Sequence, residues 1–173
     1  MNTNLARHGL AKNRTMHVVD LENLFGGTAF NAAATASLAA AYPHYDRTHD
    51  QVVVGASCQV TAVEGALGWK GSRLVWMRGR DGADLCIADV LLNEDIERRV
   101  ERVVIGSGDG LFAPVAAYLA ARGVEVGVIT RRDHLSRTLR LAAHWVTYLP
   151  EEGFQSGILP SSLTIPPTYR SAA

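Results

Sequence analysis

The chain has 173 residues, with 47% hydrophobic and 20% charged side chains, and its basic and acidic groups balance at 17 each. These values exclude a disordered polymer and a protein that grips nucleic acid through a global positive field, so any such contact must use local patches. The length suffices for one domain with its own core, and the two cysteines, Cys58 and Cys86, lie outside any Cys-x-x-Cys spacing and read as reduced thiols rather than zinc ligands.

Residues 1–15 are polar, lack periodicity and read as an N-terminal tail. Arg7, Lys12 and Arg14 precede an apolar stretch that Asp20 and Glu22 break at once, so no signal peptide is legible. The first strand is expected over residues 16–19, ending at Asp20. A turn at Gly26 and Gly27 follows, then an alanine-rich helix with Thr28 as its N-cap. That small-apolar run, residues 29–42, carries Asn31, Thr35 and Ser37 and is too short and too polar to span a bilayer. The reading is therefore a cytosolic, cytoplasmic protein with no membrane partner. Further strands are expected at 51–56, 73–77, 102–105, 124–129 and 145–148. Helices are expected at 59–67, 83–100, 111–121 (closed by Gly123) and 136–143. Residues 151–173, rich in Pro, Ser and Thr, read as a second tail, which leaves 16–150 as the domain.

Strands this apolar, alternating with helices, imply an α/β fold: a doubly wound, mainly parallel sheet of five or six strands with helices on both faces. Ligands of such sheets bind outside the carboxyl ends of the strands, where the strand order reverses. Three of those ends carry carboxylates. Asp20-Leu21-Glu22-Asn23 follows the first strand, Asp81-Gly82-Ala83-Asp84 the third, and Ser107-Gly108-Asp109-Gly110 the fourth. In the order 3-2-1-4-5 the first and fourth strands are neighbours, which would bring Asp20 and Asp109 together, with Asp84 arriving from the next helix. Taken singly, each has an ordinary explanation: Asp84 and Asp109 as helix caps, Asp20 as a turn residue. Taken together, converging carboxylates repel one another unless a cation joins them, and Mg²⁺ or Mn²⁺ prefers such hard oxygen ligands while keeping the waters that hydrolysis needs. A metal-bound water and a neutralised phosphodiester describe a phosphodiesterase mechanism.

The segments "HVVDLENL", "GADLCIADVLL" and "VVIGSGDGLFAPVAAYLAARGVEVGVI" resemble, in order and spacing, the three acidic motifs of NYN domains, a branch of the PIN-like ribonucleases. The resemblance runs from about residue 16 to about residue 150. It implies a PIN-like fold, a divalent metal, and endonucleolytic cleavage of RNA, single-stranded or structured. It also implies that Asp20, Asn23, Asp84 and Asp109 are catalytic, with Asp20, Asp84 and Asp109 holding metal and Asn23 orienting water or substrate. Asp89, five residues beyond Asp84, is a further acidic candidate for the metal. One departure stands out: where many members read Ser-Gly-Asp-x-Asp-Phe, this chain has Leu111 in place of the second aspartate. One ligand is thereby missing, to be offset by Glu22 or Asp89, or to mark a domain that binds RNA without cutting it.

Substrate contact is expected from Ser107, from Arg78 and Arg80 after the third strand, and from Arg131 and Arg132 after the fifth, with Arg137 following on the next helix, since guanidinium groups pair with phosphate oxygens. No aromatic platform for base stacking is legible. A dinucleotide loop at residues 106–111 fails because Leu111 stands where Gly-x-Gly-x-x-Gly needs glycine. A phosphatase using Asp20 as nucleophile would meet Asp-x-Glu where Asp-x-Asp is required. His44, Asp46, His49 and Asp50 read as a solvated loop, and His134 and His144 as structural or surface residues. Oligomeric state is open, and a homo-oligomer is compatible with the sequence.

Overall fold

A computed structural model describes residues 14–46 and 48–150. The apolar runs become six strands: β1 (Thr15–Asp20), β2 (Gln51–Ala56), β3 (Arg73–Trp76), β4 (Arg102–Gly106), β5 (Glu125–Thr130) and β6 (Trp145–Tyr148). They form one sheet of order β3-β2-β1-β4-β5-β6, and every pairing is parallel. Helices α1 (Leu21–Phe25), α2 (Ala32–Ala41), α3 (Gln59–Gly68), α4 (Gly82–Asn93), α5 (Ile96–Arg99), α6 (Ala113–Ala121) and α7 (Arg137–Ala142) surround it, with a 3-10 turn at Gly110–Phe112 before α6. This is the expected α/β three-layer fold.

Adjacent strand residues go to opposite cores, which is why the strands read as unbroken apolar runs. Val18, Val53, Ile105 and Val128 pack with Ile87 and Leu91 of α4 and Leu119 of α6. Their neighbours Val19, Val54, Val104 and Ile129 pack with Leu24 of α1, Leu38 of α2 and Trp69. Strand order reverses between β1 and β4, so their carboxyl ends stand side by side, Val19 opposite Gly106.

Two helix boundaries differ from expectation by more than two residues. The alanine-rich helix is capped by Asn31, not Thr28, because the Asn31 side chain accepts the Ala34 N–H at 2.9 Å while Glu64 takes the Ala32 N–H at 2.6 Å. The helix expected over 83–100 breaks into α4 and α5 at Asp95, which adopts φ 51. Beside the break, Glu94 gathers Arg73 at 2.7 Å and Arg99 at 3.2 Å. The tail expected over 1–15 lies outside the described residues except at its end, where Thr15 opens β1; the tail expected over 151–173 lies outside them altogether.

The loop read as solvated is partly folded inward. Asp50 accepts from the wholly buried His17 of β1 at 3.2 Å, between the rings of Tyr42 and Tyr45. His44 instead meets Thr147 at 3.0 Å, while Asp46 is tied to its neighbours, its carboxylate meeting His49 at 2.8 Å and its N–H donating to Asp50 at 2.8 Å. Among the described residues no helix is long and apolar enough to cross a membrane.

Candidate functional site

At the carboxyl edge of the sheet, β1 ends in Asp20, which is only 4% exposed and caps α1 by accepting the Asn23 N–H at 3.1 Å. Asp20 stands in register with Gly55 of β2. Glycine is needed there: a methyl group at position 55 would lie 2.5 Å from Ile87 Cδ1 and 3.0 Å from the Ala83 carbonyl oxygen. The missing side chain lets the first turn of α4 approach the sheet, the use that a strand glycine commonly has. Asp84, 8% exposed in that turn, thereby comes beside Asp20, close enough for the two carboxyl groups to share a proton. Asp84 Oδ1 is buried without a hydrogen-bond partner among the described residues.

Burial dominates the electrostatics of the pair. It pushes Asp20 up to about 8, opposed by the Asn23 N–H and reinforced by Asp84 and Glu22. Burial likewise raises Asp84 to about 6, its hydrogen bond with Asp20 opposing and Asp109, Asp81 and Glu22 adding. The charged groups acting on both residues are carboxylates, so at neutral pH the pair holds a proton that an isolated aspartate would have lost.

A titration consequence follows. Unfolded, Asp20 ionises near 3.8; folded, it keeps its proton to about 8. Between those values the folded state binds more protons, so stability falls as pH rises, and above about 8 the whole penalty is present. In metal-free buffer the Tm is expected to drop by several degrees between about pH 5 and pH 8, and Asp20→Asn to flatten that slope. A Tm that climbs across this window in the parent, or an equal slope in the variant, would contradict a buried proton-sharing pair.

Asp109 reaches the same rim by a different route. It is exposed, and its Oδ1 accepts the Leu111 N–H at 2.8 Å, which starts the 3-10 turn. Its charge is felt by Asp84, but its carboxylate is turned to its own backbone. Among the described residues no three His, Cys, Asp or Glu side chains are gathered closely enough to hold one ion. Two of the three expected carboxylates therefore touch, and the third stands within electrostatic range.

Asn23 ties three strand ends together. Its side-chain oxygen accepts the Gly108 N–H at 2.9 Å, and its carbonyl meets His134 Nδ1 at 3.1 Å. The side-chain oxygen is thus spent on the scaffold. Ser107 is wholly buried, with its Oγ accepting the Asp109 N–H at 3.2 Å. It shapes the loop, and burial keeps it from the substrate contact expected of it.

Neither acidic substitute for Leu111 joins the pair. Glu22 is engaged at both oxygens: Oε1 accepts from Ser57 N at 2.8 Å and Thr61 Oγ1 at 2.7 Å, and Oε2 accepts from Ser57 Oγ at 2.6 Å. Asp89 is exposed and accepts from Asn93 Nδ2 at 2.7 Å one turn further along α4, because five residues rotate it well away from Asp84.

The arginines flank the rim on both sides. Arg78 and Arg80 are exposed on the loop between β3 and α4. Beyond β5, Arg131 pairs with Asp133 at 3.3 Å and lies against Gly26, while Arg132 covers the Tyr148 ring at 4.5 Å. His134, read from the sequence as a structural or surface residue, joins Asn23 to this loop. Nothing local in the sequence marks that role, whereas Gly55 inside an apolar strand is a legible sign of close approach.

Neither a protein-family model nor a curated protein sequence matches the chain. Among solved structures, the chain is similar to a protein of unknown function from Vibrio parahaemolyticus, with a TM-score of 0.54 and 18% identity over 80% of this chain and 94% of that one. The likeness supports the fold.

Proposed function

We propose that the chain is a metal-dependent endoribonuclease of the NYN, PIN-like type, acting in the cytoplasm and hydrolysing RNA phosphodiester bonds at the Asp20–Asp84 pair. The observation that carries this reading is the buried contact between two carboxyls from distant elements, surrounded by further carboxylates, with Asp84 Oδ1 left unpartnered. Such a pair suits a hard divalent cation, which removes the repulsion and the need for the shared proton. Asp20 and Asp84 would hold Mg²⁺ or Mn²⁺, with Asp109 adding negative charge from the loop. When bound, the ion supplies Lewis acidity and neutralises charge developing on the phosphodiester. The protein's own part is positional. Asp20 is fixed by the Asn23 N–H, Asp84 by the packing of α4 on Gly55, and the β4 loop by the Asn23 side chain. Arg78, Arg80, Arg131 and Arg132 lie on the loops where the backbone of an RNA strand would pass.

Incubation of the purified protein with single-stranded and structured RNA is expected to yield cleavage with Mg²⁺ or Mn²⁺ and none with EDTA. Metal-independent cleavage, or undiminished cleavage by Asp84→Asn, defeats the mechanism. A second reading, an RNA-binding module without turnover, is favoured by one observation: the Asp109 carboxylate is committed to Leu111 N–H and no aspartate follows at 111. It predicts binding with no cleavage under any metal and a gain of cleavage in Leu111→Asp; an active parent rules it out.

A further inference from the structure

The geometry points to a second element of the site: a nucleobase-stacking lip at the end of β3, formed by Trp76 and Met77 and flanked by Arg78 and Arg80, which receives an unpaired nucleic-acid strand. It rests on the reading of the acidic pair as directed at phosphodiesters, and it names the form of substrate.

Trp76 ends the edge strand β3 and is 52% exposed; Met77 beside it is 45% exposed. The exposed indole offers a flat aromatic face free to stack. The next charged residues, Arg78 and Arg80, are exposed and make no ion pair or hydrogen bond among the described residues. An aromatic face with unpaired guanidinium groups close along the chain complements a nucleic-acid strand, whose bases stack on any aromatic ring and whose phosphates pair with arginine.

The lip is held in place. Met77 N–H donates to the Ala56 carbonyl at 3.2 Å, Gly79 N–H to Ser57 at 3.3 Å and Gly82 N–H to Gly79 at 3.1 Å. Gly79 adopts φ 138, which suits glycine between the two arginines. A side chain at Gly82 would run into the Met77 carbonyl, so the lip abuts the start of α4, two residues before Asp84. By alternation Trp76 lies on the Leu74 side of β3, toward α3, whereas α4 and Asp84 lie on the other. A strand engaging both therefore crosses the sheet rim, from the indole past the arginines to the carboxyl pair. Bases in a duplex are already stacked and offer Trp76 no face.

The test measures binding by the full chain in EDTA, using labelled oligouridylate, a base-free ribose-phosphate chain of equal length, and an RNA duplex. Trp76→Ala is expected to weaken oligouridylate binding about tenfold and Trp76→Phe to retain most of it. Neither should alter binding of the base-free chain or the duplex. The double variant Arg78→Ala/Arg80→Ala should weaken all three and flatten the salt dependence. Absence of oligouridylate binding by the parent, indifference to Trp76→Ala, or an equal loss on the base-free chain overturns the proposal. So does tighter Trp76-dependent binding of oligoglutamate, which would make the lip a protein contact. Cleavage of the same oligouridylate with Mn²⁺ reads the acidic pair separately: binding that needs Trp76 without cleavage sinks the hydrolase reading alone, and cleavage with binding indifferent to Trp76 sinks the lip alone.

Discussion

Asp20→Asn is expected to lower metal-dependent RNA cleavage by about 10²- to 10⁴-fold while raising the Tm of the metal-free protein near pH 8. Both effects come from one charge. A bound metal contributes several kcal/mol of charge stabilisation to such a reaction, and each factor of ten in rate corresponds to about 1.4 kcal/mol. Asparagine keeps the Oδ1 that accepts the Asn23 N–H, so the cap on α1 survives. Its amide can donate to Asp84 where the shared proton did. What disappears is the buried negative charge that opposes folding as pH rises toward about 8. Steady-state cleavage with Mn²⁺, and thermal unfolding in EDTA, measure the two effects on the same preparation. An Asp20→Asn protein that cleaves like the parent removes Asp20 from the chemistry. One that loses both activity and Tm assigns the residue to structure instead.

Gly55→Ala tests how the pair is assembled rather than how it reacts. The added methyl must displace Ile87, which is fully buried, and presses on the Ala83 carbonyl one residue before Asp84. Overpacking of this kind costs about 1–3 kcal/mol. For a chain of this size each kcal/mol lowers the Tm by about 2–4 °C. Because the displaced turn carries Asp84, cleavage is expected to fall more than stability alone explains, even at temperatures where the variant is folded. Removing the obstacle offers a check. In Gly55→Ala/Ile87→Ala the clash with the isoleucine is gone, and the cost should be clearly less than the sum of the single variants, since residues in contact couple. Additive costs, or a Gly55→Ala protein with parental Tm and cleavage, would mean that close approach of α4 to the sheet is not what sets the pair.

The expected α/β architecture and strand order are present because they follow from local and near-local physics. Residues such as Val18-Val19 and Val53-Val54 feed opposite cores, so both faces must be covered, and parallel strands with helical crossovers satisfy that. Once β1 and β4 are neighbours, Asp20 and the Ser107-Gly108-Asp109 loop share a rim whatever their side chains do. Placement along the chain, then, was settled by the sequence itself. Side-chain commitment was decided only by tertiary structure, because each polar atom takes the partner that folding brings to it. Glu22 accepts from Ser57 and Thr61, which lie 35 and 39 residues away, whereas Ser107, Asp89 and Asp109 bond residues only two to four positions along the chain. Asp84 keeps a buried oxygen without a partner among the described residues, against an Asp20 that burial holds protonated. No periodicity or spacing encodes the surroundings of Glu22 and Asp84, since they depend on contacts between elements far apart in the chain, with Gly55 inside an apolar strand as their local sign.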